Sequence, residues 1–344
     1  MALLFCDGFE ELVTAEIHTR WTSLSELDQP STRVDSGESR SGNNSMRLRD
    51  SPVIHFTKAL PDVKDTIIVG YAVYYDTDTD DCYGMQLMNY ANFQLTTLVN
   101  ADGSISVRRG DINGTILGTS AAGLVLPNYW YYLELKATIG NSPNGSYELR
   151  VDGQPVTSGE SLDTQQQSLG GVSRVKFMSN FEYTYYDDIY ICDTLGGVND
   201  DFLGPQRVDT LLPTASGEHT EWDPLSGENW ANVADHIMDS DATYVTTMSG
   251  EVKDTYVFED LAPLSVDNIS GVQIFAVSKR TADTPETLDL MCRANSSDYS
   301  GEAKYLPIGY FGLSRVWDVN PDDSAQWEEA DVNAAEFGIK KIDD

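Results

Sequence analysis

No segment of this 344-residue chain sustains a helical period for more than a turn or two, and its apolar residues fall in short runs broken by Gly, Asn or Asp. Such a pattern builds strands. β-Branched and aromatic side chains in short alternating runs suit a pleated surface, and the polar breaks reverse the chain. Thr66–Tyr75 is apolar at both alternating sets of positions, which predicts a central strand covered on both sides. Tyr131, Leu133, Leu135, Ala137 and Ile139 alternate with Tyr132, Glu134, Lys136 and Thr138, as a half-buried strand does. Tyr147, Leu149 and Val151 repeat the pattern, and Asp152-Gly153 then predicts a tight reversal, because glycine accepts positive φ. Asp102-Gly103 and Asn113-Gly114 mark hairpins around Ser104–Arg108, and Tyr185–Asp193 reads as the last strand of the first half. Many short antiparallel strands joined in this way predict a sandwich. Glu10–Thr22 fits either a short helix or an irregular connection.

The length suits two domains. Asp193–Asp201 lacks alternation and is rich in turn formers, so it reads as a linker between domains at 1–195 and 196–344. Beyond it, strands are expected at Arg207–Leu212, Thr255–Phe258, Gly271–Ser278, Thr287–Arg293 and Gly338–Ile342, with one helical turn in Ala330–Phe337. The fold class is therefore all-β: a larger sandwich followed by a second, smaller one.

With 55 acidic against 22 basic residues the formal charge is −33. That sum argues against nucleic acid and anionic membranes as partners, and no apolar run approaches the ~20 residues of a membrane span. The first residues have no basic start and their apolar stretch ends at Asp7, so synthesis and assembly in the cytoplasm are expected. Four scattered cysteines, Cys6, Cys82, Cys192 and Cys292, read as free thiols.

Catalytic motifs are missing from the sequence. There is no GxSxG, no HExxH and no phosphate-binding glycine loop, and His18, His55, His219 and His236 read as surface or capping residues. Glycoside hydrolysis needs two carboxylates facing each other across a cleft. Glu10-Glu11 and the acidic loop after Tyr75 do not set such a pair on a strand, and neighbours such as Asp187 and Asp188 should point to opposite faces. Asp76, Asp78, Asp80 and Asp81 crowd one turn, and calcium is the ion that hard oxygen ligands at such spacing would take; no cofactor is otherwise required. For sugar binding, Tyr90, Asn92 and Phe93 in the first half and Trp222 and Trp230 in the second offer aromatic faces and an amide.

The order Phe5–Phe9, Ser41–Leu48, Trp130–Leu135, Gly145–Gly153 and Asp187–Ile191 resembles the concanavalin A-like, laminin G-like jelly-roll sandwich over about the first 195 residues. Asn199–Gly204, Arg207–Pro213, Trp222, Asn229–Val233, Lys253–Tyr256 and Asp331–Gly338 resemble a module that follows such a domain in structural proteins of tailed bacteriophages. The resemblance implies a non-enzymatic virion component of tail, fibre or capsid decoration, assembled in a host cytoplasm. It would work through other virion proteins, as a homo-oligomer or symmetric assembly, with a host-surface glycan as a further partner. It transfers no catalytic residue. A carbohydrate-binding adhesion module and a glycoside hydrolase are the alternatives.

Overall fold

A computed structural model describes residues 2–24, 32–49, 54–76, 81–166, 168–180, 183–261, 268–281 and 283–343. The chain divides into two compact units, Met1–Asp209 and Thr210–Asp344.

The first unit runs β1 (Leu3–Asp7), a 3-10 turn (Thr14–Glu16), α1 (Ile17–Arg20), β2 (Ser23–Leu24), β3 (Thr32–Asp35) and β4 (Ser45–Leu48). The long strands β5 (Ile54–Lys64), β6 (Thr66–Tyr75), β7 (Cys82–Asn89) and β8 (Asn92–Val99) follow, then β9 (Ile105–Arg109) and β10 (Thr115–Thr119). β11 (Trp130–Thr138), β12 (Gly145–Val151), β13 (Gln154–Leu162), β14 (Val172–Ser179) and β15 (Thr184–Asp193) complete it. They form two antiparallel sheets. The first has the order β13-β12-β11-β6-β15-β4-β3, with β1 also on β15, and the second β10-β9-β8-β7-β14-β5-β2. Asp152 and Gly153 reverse the chain between β12 and β13 with φ of 49° and 76°, as the dipeptide predicts.

The inner faces meet in one apolar core, whose densest part is aromatic. Trp21 lies edge-on to Phe56 at 4.6 Å, and Phe56 stacks on Phe177 at 5.0 Å. Asp7 ties the Thr14–Arg20 segment to β1. One carboxylate oxygen accepts from Trp21 Nε1 at 2.8 Å, and the other accepts from the Phe9 amide and from Arg20.

The strand Thr66–Tyr75 has the bounds the sequence predicts and lies between β11 and β15. Part of its outward side is covered by the chain's own residues 203–208. The Leu203 amide donates to Tyr190 Oη at 3.2 Å, the Gly204 amide to Glu134 Oε1 at 2.8 Å, and the Val208 amide to Asp188 Oδ1 at 2.9 Å. Gly70 must be glycine here, because a Cβ would collide with the Tyr190 ring. These bonds correct two expectations. The unit boundary falls after Asp209 and not after residue 195, and Arg207–Leu212 is no strand, since its Val208 amide serves Asp188 and its Leu212 amide Glu259 before β16 begins at Pro213.

The second unit contains β16 (Pro213–Thr220), β17 (Asp223–Pro224), a 3-10 turn (Trp230–Asn232), β18 (Val245–Thr246), β19 (Lys253–Phe258) and β20 (Val272–Ser278). β21 (Thr287–Ala294), β22 (Ser297–Tyr299), β23 (Lys304–Tyr305), β24 (Phe311–Trp317), α2 (Glu329–Ala334) and β25 (Glu336–Ile342) follow. Its main sheet has the order β16-β19-β25-β21-β22, while β20 pairs with β24. Trp317, Trp327 and Phe337 fill one core, and Leu288, Leu290 and Leu313 another. The chain is all-β with short helical turns, as expected. Among the described residues no helix is long and apolar enough to cross a membrane, and all four cysteines are free thiols.

Candidate functional site

The second sheet of the first unit breaks the chain's charge balance. Its seven strands carry six Lys or Arg residues and a single acid, Asp62, which is paired with Lys64 at 2.8 Å. In a chain of net charge −33 that is a local reversal of sign.

Register places the outward side chains. Thr57 on β5 opposes Lys176 on β14, Lys176 opposes Gln86 on β7, Gln86 opposes Thr96 on β8, and Thr96 opposes Arg108 on β9. Directly opposed residues share a face, so these five form one polar row across the sheet. Two residues along, Arg174 and Met88 flank it on one side, and His55 and Met178 oppose each other on the other side. The floor is sunken: Gln86 is 2% and Thr96 0% exposed although both point away from the core.

Hydrogen bonds hold the row in place. Gln86 Nε2 donates to Thr96 Oγ1 at 3.1 Å, and Thr96 Oγ1 donates to the Gly110 carbonyl at 2.6 Å. Arg108 donates from Nε to Ser106 Oγ at 3.2 Å and from Nη1 to the Ile112 carbonyl at 2.7 Å. Gln86 Oε1 is buried with no partner, which leaves an acceptor open beside Lys176. Among the described residues Arg108, Arg174 and Lys176 belong to no salt bridge. Burial depresses the Lys176 ammonium, and burial, then the Lys176 charge, lowers His55 to about 4. Chemically the face holds three cations, Arg108, Arg174 and Lys176, an open amide acceptor and an imidazole that is neutral at neutral pH.

The His55 shift has a measurable consequence. Its folded value lies below the ordinary 6.5, so the unfolded state binds more protons between these values and stability falls as pH drops from about 6.5 to about 4. After discounting for partial solvent screening, His55 accounts for about 1–2 kcal/mol of that fall. His55→Gln should flatten the dependence of the urea midpoint on pH across this window. A variant as pH-sensitive as the parent would refute the assignment.

Of the aromatic candidates, Phe93 opposes Met88 on the outward face, and Lys176 Nζ lies 5.7 Å from its ring centroid. Tyr90 sits at the β7–β8 turn with φ of 52°, 59% exposed, its amide donating to Ser173 Oγ; Asn92 opens β8. Trp222 and Trp230 belong to the second unit. Trp222 is partly buried against Leu288, Leu290 and Leu313, and Trp230 opens a 3-10 turn. Asp76 accepts from the Tyr183 amide and Asp81 from the Ala101 amide, so both brace turns. Asp78 and Asp80 lie outside the described residues. Among the described residues no three His, Cys, Asp or Glu side chains converge as a metal site.

Asp187 and Asp188 depart from the alternation argument. A bulge between Asp187 and Tyr190, with Asp188 at φ of 47°, turns both carboxylates toward residues 40 and 41. Asp187 Oδ2 accepts from both backbone amides there, while Asp188 accepts from Arg40 Nη1 at 2.5 Å and from Ser41 Oγ at 2.8 Å. Burial, then the neighbouring Asp188 charge, pushes the Asp187 carboxyl up. The pair is a buried clip holding the β3–β4 connection.

No family model and no curated protein matches this chain. Solved structures do. The endo-β-1,4-glucuronan lyase of the fungus Trichoderma reesei aligns at 11% identity over 50% of this chain and 90% of its own, with a TM-score of 0.41. The cellulose induced protein Cip1 aligns at 14% identity over 59% and 100%, with a TM-score of 0.43. A carbohydrate esterase from the Shiga toxin-encoding bacteriophage phi24B aligns at 15% identity over 56% and 99%, with a TM-score of 0.40. These neighbours are jelly-roll carbohydrate-active proteins, and at such identities the likeness is one of fold. Polysaccharide lyases and an esterase are the proteins named among these matches, in place of the non-enzymatic virion component expected.

Sequence reasoning missed His55, Gln86, Arg108, Arg174 and Lys176. A signal for them was present: β7, β8, β9 and β14 contain no acidic residue in a chain that holds 55.

Proposed function

We propose that this protein is a carbohydrate-processing enzyme that holds an acidic polysaccharide against the outward face of the second sheet and cleaves it by elimination. The reading rests on the cationic, acid-free row in an otherwise strongly acidic chain. A stretch of one sign over a sunken, poorly hydrated floor concentrates ligands of the opposite sign. Uronic-acid chains present a carboxylate on every ring and fit that field.

Hydrolysis by the usual route needs two carboxylates at the bond, and the strands of this sheet carry a single acid, Asp62, which is paired with Lys64. Elimination needs what is there. Lys176 and Arg174 neutralise the uronate carboxylate, which makes the adjacent ring C–H more acidic. Neutral His55 takes that proton as general base. The electron pair freed forms a carbon–carbon double bond, and the neighbouring glycosidic C–O bond breaks. The departing oxygen takes a proton from water.

The test is incubation with a panel of polyuronates, reading the ultraviolet absorbance of the unsaturated product. Product is expected from at least one polymer, and none from His55→Ala. Turnover unchanged in His55→Ala and in Lys176→Ala, or no product from any polyuronate, would overturn the proposal.

A further inference from the structure

The opposite side of the same sandwich carries a second surface with different chemistry. Three rings stand in one row across the outward face of the first sheet: Trp130 on β11 opposes Tyr74 on β6, which opposes Tyr185 on β15. Their centroids are 5.7 Å apart from Trp130 to Tyr74 and 5.6 Å from Tyr74 to Tyr185. All three are partly exposed. Elsewhere on this face Tyr132 and Tyr190, carried by the same strands, are 1% exposed, and residues 202–208 bind there. The chain thus covers one part of the aromatic face and leaves the other open.

The open rings are held by their polar tips. Trp130 Nε1 donates to Glu38 Oε1 at 2.9 Å, and Tyr74 Oη donates to Asn128 Oδ1 at 3.2 Å. At the far end Tyr183 packs 6.2 Å from Tyr185, with the Arg47 and Arg49 guanidinium groups each 5.0 Å from its centroid. Fixed, partly exposed rings beside an amide and a carboxylate suit a ligand with apolar C–H faces and a rim of hydroxyls.

Charge selects among such ligands. Glu38 and Asp76 act on Tyr74, and Asp35 acts on Tyr185. Arginines balance these acids: Arg33 and Arg47 are both paired to Asp35 at 2.7 Å, and Arg49 stands with Arg47 at the Tyr183 ring. With three acids against three arginines the strip has no net charge to draw a polyanion, unlike the cationic row, and so suits an uncharged sugar.

We infer that Trp130, Tyr74 and Tyr185 form a second carbohydrate-binding site, which takes a neutral polysaccharide on the face opposite the cationic row. The inference rests on its own residues and stands apart from the elimination reading. A chain with both sites would grip a mixed polysaccharide by its neutral segments while the other face works on its acidic ones.

Titration of the full chain with soluble hydroxyethylcellulose, xyloglucan and galactomannan, followed by tryptophan fluorescence and calorimetry, tests it. At least one is expected to bind, with affinity about tenfold or more weaker in Trp130→Ala and Tyr74→Ala. Turnover or binding of polyuronate should be unchanged in both variants. Tyr185→Ser is the second probe should either variant fold poorly. Failure of all three neutral polymers to bind, or equal binding by parent and variants, overturns the inference. So does a loss confined to polyuronate, which would place the acidic chain on the wrong face.

Discussion

Lys176→Glu is expected to weaken binding of an acidic oligosaccharide by about a hundredfold or more, with little change in stability. Lys176 stands mid-row between Thr57 and Gln86, and β7, β8, β9 and β14 carry no acidic residue. Reversal removes one attraction and adds a repulsion in a site where burial already weakens solvent screening; losing one partner of a buried charge pair alone costs about 2–5 kcal/mol. The new carboxylate would sit two residues from Arg174 on the same face, where local charge favours it. Affinity measured at two ionic strengths separates the causes: the parent should weaken steeply with salt and the variant hardly at all. Parent-like affinity in the variant would remove Lys176 from the site.

Trp21→Ala is expected to destabilise the first unit by about 3–5 kcal/mol, as large-to-small changes at buried aromatics do. The indole touches Phe5, Phe9, Phe56 and Phe177, and its Nε1 is one of the donors to Asp7. Its loss opens a cavity and also leaves a buried carboxylate less well served. Residues 14–20 would loosen with it, because Asp7 links them to β1. Urea unfolding followed by circular dichroism reads the effect; a shift below about 1 kcal/mol would show that the cluster relaxes around the gap.

The parts of the fold legible in the sequence were those whose causes are local. Thr66–Tyr75 could be read because a strand covered on both sides has no polar positions, and Asp152-Gly153 because only certain residues take positive φ easily. The segment 196–209 could not, since nothing in its own pattern says that Tyr190, Glu134 and Asp188 will bind its amides. The bulge at Asp187 likewise defeated an alternation argument that holds for regular strands. The cationic row is assembled by register from positions 57, 86, 96, 108 and 176, so no motif spacing exists to find. Net charge misled in the same way: −33 describes the whole chain, and one sheet has the opposite sign.

The position of β15 bears on how the first unit is made. It is the last of fifteen strands to leave the ribosome, yet it pairs with β6, β4 and β1 near the middle of its sheet. A nascent chain that has not reached residue 184 therefore holds three strands whose bonding edges have no partner. Such edges attract one another between chains. The first 183 residues hold 23 acidic against 13 basic side chains, a net of −10 that opposes such pairing while most of the chain's −33 is still to be made.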